Sequence, residues 1–490
     1  MASLPALARQ ALDRPPGAAA LEVDGAWTSW GELAAVARAV SNELPQGSGP
    51  VALVTRNRMP SYAALLGILA ERRPVEMVYP FQDGSAIARD LAARSVAAAV
   101  IGEEDLHPDI VATARMRGFT LIVLTEGAVR RETAGAAPVY GGISDPAITI
   151  LTSGTTGPPK RFALPFSLIE RHILAGSKLA ALDQATAATL PPTLLFFPIA
   201  NISGIYSSLP PLIFGQPAVV LDRFSLESWH RYVVAHRPQH AGLPPSSVQA
   251  AIDADFDRAD LSSLVAIGVG AAPLDPDVQA AFETRYGVPI LVSYGATEFG
   301  GPVTAMSLDL RARFGPRTGS VGRALAGCKV RIVDPVTREE LRSGEQGLVE
   351  VVSPRIGEDW ITTADIGLLD TDGFLYLRGR SDSAIIRGGF KILPQAVEDA
   401  LTQHPSVSEA CVVGIPDRRL GELPAAALSI RPGTTAPDEA ALREHARSLL
   451  PAPHVPVRFI IMDELPRTPS LKTDRRAVAR VLSNHGSPGL

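Results

Sequence analysis

The sequence predicts an α/β protein with a large N-terminal domain of stacked βα subdomains and a small α+β C-terminal domain. Apolar strand-like runs alternate with helix-like segments through residue 295, and this alternation indicates parallel sheets covered by helices. From about residue 319 short strands alternate with Gly and Asp turns, which indicates a small β-rich subdomain. A final helix–strand pattern follows. We therefore predict a boundary at 380–382, between domains at 1–379 and 383–490.

The individual elements are predicted from apolar spacing. Thr28 and Ser29 precede apolar residues spaced as on one helix face, which predicts a capped helix over 33–44. A helix is predicted over 61–73, between strands at 51–55 and 74–80. The strand that begins at 148 breaks into a Gly/Thr/Pro loop before 160. Further strands are predicted at 121–125, 194–199, 218–222, 264–270, 289–295, 328–334, 347–353, 373–380, 425–430 and 457–465.

Composition excludes several classes of protein. Of 490 residues, 46% are hydrophobic and 20% are charged, which is typical of a globular chain. The net charge is −5 and no block of Lys or Arg occurs, so we expect no nucleic-acid or anionic-membrane partner. Cys328 and Cys411 form no metal or disulfide pattern and fit a reducing cytoplasm. No signal peptide or membrane span is apparent, so we expect a cytoplasmic location.

The most informative segment runs from Thr152 to Lys160. Glycines allow backbone N–H groups to approach an anion, hydroxyls donate to phosphate oxygens, and the lysine adds a positive charge. The spacing differs from that of a nucleotide-triphosphatase P-loop, because no Gly-Lys-Ser/Thr follows the second glycine. We predict phosphate contacts for Thr152, Ser153, Gly154, Thr155, Thr156, Gly157 and Lys160.

SGTTGPPK resembles the signature loop of the adenylate-forming superfamily, which contains acyl- and aryl-CoA ligases, adenylation domains and luciferases. Five more segments resemble family motifs in the expected order. They are GAAPL (270–274), YGATE (294–298), TADIG (363–367), GRSDSAIIRGGFKILPQAVE (379–398) and LPRTPSLKTDR (465–475). The resemblance spans about residues 20 to 475 and implies ATP, Mg²⁺ and coenzyme A as cofactors and substrates.

The resemblance implies a role for each motif residue. Thr297 would contact phosphate, Glu298 would bind Mg²⁺, and Tyr294 would stack on adenine. Asp365 would bind the ribose, and Arg380 would reach the ribose or the phosphate. Further adenylate contacts are implied for Gly270, Ala271, Ala272, Pro273, Gly295 and Ala296.

Lys472 is implied as the catalytic lysine, because a compact positive charge can bridge the acid carboxylate and the α-phosphate. The family also implies that this lysine moves with a mobile C-terminal domain that pivots at Asp382. The segment of Gly388, Gly389, Phe390 and Lys391 would line the tunnel for the acceptor.

The acid pocket is implied near Phe196, Phe197, Asn201, Gly204, Tyr206, Gly270 and Gly295. Its apolar character favours an aryl or apolar acyl acid. Four positions depart from the family pattern. Asn201 stands where many relatives have histidine, and Arg161, Ala364 and Leu471 replace glycines. His230, His236 and His240 do not share one helix face and Pro238 should end the helix, so we predict no metal site there.

The sequence leaves the acceptor open. We expect an acid–CoA ligase that forms an acyl-AMP, releases pyrophosphate and then forms a thioester. An amide bond synthetase that passes the acyl group to an amine shares the first step, and so does an enzyme that charges a carrier protein. A luciferase-like oxygenase and a non-catalytic homologue are weaker alternatives. The presence of Glu298, Asp365, Arg380 and Lys472 argues against the non-catalytic one.

Overall fold

A computed structural model describes residues 2–125, 128–135, 143–152, 160–387, 390–417, 419–468 and 472–484. The chain forms two compact units, Met1–Ala241 and Gly242–Leu490. The division at residue 241 lies inside the predicted first domain. The predicted boundary at 380–382 lies inside the second unit, and it stays a prediction.

The first unit alternates helices and strands. Its helices are α1 (Leu4–Leu12), α2 (Trp30–Glu43), α3 (Met59–Ala70), α4 (Gly84–Ala92), α5 (Pro108–Arg117), α6 (Phe166–Leu168), α7 (Gln184–Ala188), α8 (Ile202–Phe214) and α9 (Leu226–His236). Its strands are β1 (Ala19–Val23), β2 (Ala26–Ser29), β3 (Val51–Val54), β4 (Val75–Val78), β5 (Ala98–Gly102), β6 (Thr120–Leu124), β7 (Val129–Thr133), β8 (Ala147–Thr152), β9 (Lys160–Pro165), β10 (Thr193–Leu195) and β11 (Ala218–Val220).

Two sheets organise the first unit. A seven-stranded sheet has the order β7-β6-β5-β3-β4-β8-β9, with parallel pairing from β6 through β8 and antiparallel strands at both edges. A four-stranded sheet has the order β10-β11-β1-β2. Strands β3 and β6 are buried along their whole length, as expected for parallel strands covered by helices.

The second unit contains shorter strands. Its helices are α10 (Pro245–Asp253), α11 (Pro276–Tyr286), α12 (Leu308–Phe314), α13 (Pro394–Thr402), α14 (Glu439–Leu449) and α15 (Arg475–Asn484). Its strands, starting with the one that crosses residue 241, are β12 (His240–Gly242), β13 (Ala266–Val269), β14 (Ile290–Ala296), β15 (Gly301–Ala305), β16 (Arg323–Ala324), β17 (Lys329–Val333), β18 (Gly347–Val352), β19 (Ile361–Leu369), β20 (Leu375–Arg380), β21 (Ile385–Arg387), β22 (Phe390–Ile392), β23 (Val407–Asp417), β24 (Gly421–Ile430) and β25 (Arg458–Ile461).

Three sheets organise the second unit. The first has the order β12-β13-β14-β15-β16, and the second is an antiparallel sheet β17-β18-β19-β20. The third has the order β22-β21-β24-β23, with β25 added parallel to β24. Apolar side chains from helices α13 and α14 pack on this last sheet, and they include Val397, Leu401 and Leu442. The last sheet and its helices match the predicted α+β unit.

The described elements confirm most of the local predictions. The capped helix is α2, which begins at Trp30 because the Ser29 side chain and Glu32 form a capping box. The predicted β-rich subdomain corresponds to β17–β20. Helix α9 ends at His236, and Arg237 then adopts a left-handed conformation before β12. Cys328 and Cys411 are buried and unbridged. In the ranges given above, no helix has the length and apolarity needed to cross a bilayer.

Candidate active site

A cross-strand pair forms the centre of the candidate site in the second unit. Strands β19 and β20 are antiparallel, and their register places Asp365 opposite Arg380. The Arg380 Nη1 donates to Asp365 Oδ1 at 3.0 Å. The same guanidinium also donates to both carboxylate oxygens of Asp382, at 2.9 and 2.7 Å. Arg380 therefore links the predicted ribose-binding aspartate to the predicted hinge residue.

Tyr294 is a second residue that contacts the Asp365 carboxylate. It lies on β14 and is only 9% exposed, and its ring packs edge-on against Phe299 at a centroid distance of 5.9 Å. Its hydroxyl donates to Asp365 Oδ2 at 2.5 Å. Burial, followed by the charge of Asp365, raises the pKa of Tyr294 well above its ordinary value. The phenol therefore stays protonated as a donor, and stacking of the ring on adenine stays a prediction.

One residue beside Asp365 was not singled out from the sequence. Thr363 Oγ1 accepts from the Asp365 backbone N–H at 2.9 Å and donates to the Val349 carbonyl at 2.8 Å. This pair of bonds fixes the strand at the point where Asp365 projects. A Thr two residues before an Asp is common in strands, so the sequence carried no distinctive signal for it.

Lys472 lies in the same neighbourhood. Arg380, Asp365 and Glu298 all act electrostatically on its ammonium group. The residue keeps exposed surface, but neighbouring atoms withdraw the ammonium from water. This desolvation, followed by repulsion from Arg380, lowers the pKa of Lys472, while Asp365 and Glu298 act in the opposite direction. Residues from three separate motifs thus act electrostatically on the predicted catalytic lysine.

Glu298 occupies the turn that follows Tyr294. Residues Thr297–Phe299 form a short 3₁₀ turn, in which Thr297 is half-buried and Glu298 is exposed. No group of three or more His, Cys, Asp or Glu side chains suited to a metal ion occurs among the residues the structure describes. A lone carboxylate fits Mg²⁺ that is held mainly by substrate phosphates, because Mg²⁺ needs only one or two protein carboxylates in such sites.

The candidate adenylate loop has an unusual backbone. Ala271 has φ +70°, in the left-handed region that few non-glycine residues adopt. A Cβ on Gly270 would lie 2.8 Å from Ser293 Oγ, and one on Gly295 would lie 2.4 Å from the Gly301 carbonyl oxygen. Ala272, Pro273 and Ala296 complete these two segments, which lie on neighbouring strand ends because β13 pairs with β14. Close backbone approach therefore requires a glycine at 295, whereas at 270 a side chain would meet the Ser293 hydroxyl.

Some predicted residues cannot be placed. Ser153, Gly154, Thr155, Thr156 and Gly157 lie outside the described residues, as do Gly388 and Gly389. The backbones on either side are ordered strands. Thr152 ends β8 and pairs with Lys160 at the start of β9, so the predicted phosphate loop connects two adjacent antiparallel strands. Phe390 and Lys391 belong to β22, which pairs with β21.

The acid-pocket candidates before residue 241 belong to the first unit. Phe196 is buried and packs on Phe197 at a centroid distance of 4.3 Å. The Asn201 Oδ1 accepts from the Gly204 N–H at 2.7 Å and so caps α8. Tyr206 is partly buried against the core. Asn201 therefore has a structural role as the N-cap of α8.

Asn57, which the sequence analysis did not identify, supports this region. Its side-chain amide donates to the carbonyls of Phe197 and Leu221 at 3.1 and 3.2 Å, and its Oδ1 accepts from the Ile199 N–H at 3.2 Å. The residue is 3% exposed. Its partners are more than 100 residues away in sequence, so no spacing could have predicted the contact.

The chain belongs to the AMP-binding enzyme family. The model of that family matches residues 7–358, and the model of the AMP-binding enzyme C-terminal domain matches residues 396–472. The resemblance noted in the sequence is therefore confirmed at the level of the family.

Individual relatives agree with this assignment. The 4-coumarate–CoA ligase-like 5 of Oryza sativa subsp. japonica is 31% identical over 379 residues, which cover 74% of this chain and 66% of that protein. The chain thus spans just under two thirds of the length of the curated relatives it matches.

Solved structures share the whole fold. ATP-bound MatB from Rhodopseudomonas palustris superposes with a TM-score of 0.81 at 22% identity, over 98% of this chain and 99% of that chain. The amide bond synthetase McbA from Marinactinospora thermotolerans superposes with a TM-score of 0.74 at 25% identity, over 98% and 99%. The predicted α/β fold class, with a large N-terminal and a small C-terminal domain, is confirmed.

Proposed function

We propose that this chain activates a carboxylic acid with ATP and transfers the acyl group to the thiol of coenzyme A. In the first step a carboxylate oxygen bonds to the α-phosphorus and the bond from that phosphorus to the bridging oxygen breaks, which releases pyrophosphate. In the second step the thiol sulfur bonds to the acyl carbon, AMP leaves, and the thiol proton passes to solvent. Family membership and the similarity to CoA ligases support this proposal.

The observation that carries the proposal is the electrostatic neighbourhood of Lys472. Its ammonium interacts with Asp365, Arg380 and Glu298, three residues that the motifs assign to nucleotide and metal. A carboxylate and an α-phosphate repel each other, so their reaction requires a positive charge placed between them. Lys472 can supply that charge.

The other residues have roles that follow from their contacts. The Asp365 carboxylate, oriented by Tyr294 and Arg380, has further lone pairs to accept ribose hydroxyls. Thr297 and the loop from Thr152 to Lys160 would donate to phosphate oxygens. Glu298 would hold Mg²⁺, and this ion supplies neutralisation of phosphate charge when bound.

The second step requires Lys472 to move away so that the acceptor can reach the acyl carbon. We propose that the lobe after Asp382 changes orientation, with Asp382 as the pivot and the segment from Gly388 to Lys391 lining the acceptor path. Release of the bidentate bond between Arg380 and Asp382 would free the pivot. Such rotations are absorbed by a few residues at element ends.

We propose an aryl or apolar acyl acid as substrate. The adjacent rings of Phe196 and Phe197, two of the implied pocket residues, support this proposal. The rice relative carries a 4-coumarate–CoA ligase-like name, which agrees with an aryl acid. ATP as a substrate and two unpaired cysteines suit a reducing compartment such as the cytoplasm.

An amine is the second candidate acceptor. The amide bond synthetase McbA aligns over nearly the whole chain at 25% identity, which is higher than the 22% of MatB. An amine would attack the same acyl-AMP carbon and expel AMP, so only the acceptor side of the site would differ.

A panel of carboxylic acids tests the proposal. We expect at least one aryl or apolar acid to cause pyrophosphate release from ATP and Mg²⁺, and a thioester to form when coenzyme A is added. Mass spectrometry of parallel reactions with amines in place of coenzyme A separates the two acceptors. Lack of acid-dependent pyrophosphate release across the panel, with a folded protein, would contradict adenylation.

A further inference from the structure

Lys472 lies in one of two paired backbone segments near the end of the second unit, 466–468 and 472–474, which together are called the Lys472 hairpin. The backbones of Arg467 and Thr473 form an antiparallel bridge. Inside it, the Thr468 N–H donates to the Lys472 carbonyl at 2.6 Å, and the Lys472 N–H donates to Thr468 Oγ1 at 3.2 Å. The Asp474 N–H donates to the Pro466 carbonyl at 2.7 Å on the outer side. The direction in which Lys472 projects is therefore set by this hairpin.

One side chain ties the hairpin to the sheet below it. Arg467 Nη2 donates to the two carboxylate oxygens of Glu409, on β23, at 2.6 and 2.5 Å. Arg467 Nη1 donates to Thr473 Oγ1 at 3.1 Å, so the guanidinium touches the opposite arm of its own hairpin. Glu409 in turn lies opposite Ser429 of β24. The contacts join the hairpin to β23, the edge strand of the C-terminal sheet.

The ion pair between Arg467 and Glu409 is suited to fixing the position of the hairpin. The planar guanidinium of Arg467 holds Glu409 through Nη2 and Thr473 through Nη1 at a fixed separation, which the single nitrogen of a lysine cannot reproduce. The side chains of Arg467 and Glu409 are 33% and 23% exposed, so the pair adds little to global stability. Lys472 has a long flexible side chain, so the electrostatic effect of its ammonium on the reacting atoms depends on where its Cα is held.

We infer that Arg467, held by Glu409, is a positioning residue for Lys472 in adenylate formation. The inference rests on the proposed function, in which Lys472 acts in the first step and not in the second. A displacement of about 1 Å at a catalytic group costs on the order of 100-fold in rate. Loss of the pair should therefore slow adenylation while transfer from preformed acyl-AMP continues.

The experiment uses the full chain with Arg467→Lys and Glu409→Gln. Arg467→Lys keeps the charge without the planar group, and Glu409→Gln keeps the shape without the charge. Acid-dependent pyrophosphate release is measured with the acid identified by the panel. Transfer is measured separately from chemically prepared acyl-AMP and the identified acceptor. Glu439→Gln removes an exposed ion pair to Arg443 in the same lobe and is the matched control.

We expect kcat for adenylation to fall about 10- to 100-fold in both variants, with the KM for ATP within about twofold. Transfer from acyl-AMP should stay within about twofold, which shows that the lobe is folded. Glu439→Gln should change neither step. Adding Arg467→Lys to Lys472→Ala should cause no further loss, because the two residues act as one unit.

Two outcomes separate the inference from the proposed function. Unchanged adenylation in Arg467→Lys and Glu409→Gln, with Lys472→Ala inactive in that step, overturns the positioning role and leaves the proposed function standing. Unchanged adenylation in Lys472→Ala overturns the proposed role of the lysine itself. Equal losses in both half-reactions for Arg467→Lys and Glu409→Gln indicate a general structural defect and also overturn the inference.

Discussion

The Tyr294 hydroxyl donates to Asp365 Oδ2 while Arg380 donates to Asp365 Oδ1, so the two oxygens of one carboxylate have different protein donors. These donors come from different sheets, since Tyr294 is on β14 and Arg380 is on β20. A carboxylate held from both sides does not have to reorient when a ribose arrives. The pair of contacts therefore gives the candidate nucleotide site its fixed geometry.

Tyr294→Phe should weaken ATP binding without removing the ring. A hydrogen bond to a charged group contributes about 1.5–3 kcal/mol, so we expect the KM for ATP to rise roughly 10-fold or more. Tyr294→Leu also removes the aromatic face and should raise this KM further if the ring stacks on adenine. The measurement is steady-state pyrophosphate release over a range of ATP concentrations. Equal effects of the two substitutions would contradict stacking.

Lys472→Ala should abolish most adenylate formation. Removal of one charge-stabilising donor typically costs about 100- to 1,000-fold in kcat, and we expect a loss of at least this size. Transfer of the acyl group from supplied acyl-AMP should proceed within about threefold of wild type, because the lysine has no part in that step. Rapid-quench measurement of each half-reaction distinguishes them. A pyrophosphate release rate equal to wild type refutes the assignment.

The pH profile of adenylation should report Lys472. Desolvation and Arg380 lower the pKa of this lysine below the ordinary 10.5, and the lysine acts only when protonated. The adenylation activity that depends on Lys472 should therefore be highest below the lowered pKa, and it should fall as the pH rises through that pKa. Arginine keeps its proton above pH 12, so in Lys472→Arg the residual activity should lose this alkaline limb. If wild type and Lys472→Arg both lose activity at high pH, that loss is caused by another group.

Glu398→Gln should loosen the last helix. Glu398 is 6% exposed, its carboxylate pairs with Arg475 at 2.7 Å, and it accepts from the Val412 N–H at 2.7 Å. Loss of one partner from a buried pair costs about 3–5 kcal/mol, and the partial exposure of Arg475 reduces the expected loss to about 2 kcal/mol. Hydrogen–deuterium exchange at the Val412 N–H and at the start of α15 should speed up.

Glu439→Gln is the control for that measurement, because its ion pair with Arg443 is exposed and lies within one helix. Exposed pairs of this kind contribute about 0.3–0.5 kcal/mol. Exchange around Val412 should stay at the wild-type rate in this variant. Identical protection in Glu398→Gln and wild type would show that the buried pair does not hold the helix.

The fold could be predicted largely from the sequence because its elements are local. The strand β3 is four consecutive buried apolar residues, and the helix α2 begins at a Ser–Glu capping box that is visible in the sequence. The division at residue 241 was not predicted. It depends on which helices and sheets pack together, and no change in composition marks it.

The candidate site was only partly predictable. Contiguous motifs identified Tyr294, Asp365, Arg380 and Lys472, because their chemistry is carried by short segments. The supporting residues were missed, since Glu409 lies 58 residues from Arg467 and Asn57 lies 140 residues from Phe197. These partners are ordinary polar residues whose importance arises only from three-dimensional contact.

The ion-paired side chains around the Lys472 hairpin lie within a single stretch of 78 residues, from 398 to 475: Glu398, Glu409, Arg467 and Arg475. That stretch contains Lys472 together with the side chains that hold its hairpin. A chimaera that exchanges it whole with a distant homologue would carry the lysine and its supports together. A crossover placed between 409 and 467 would take residue 409 from one protein and residue 467 from the other, so the pair that supports Lys472 would not be matched.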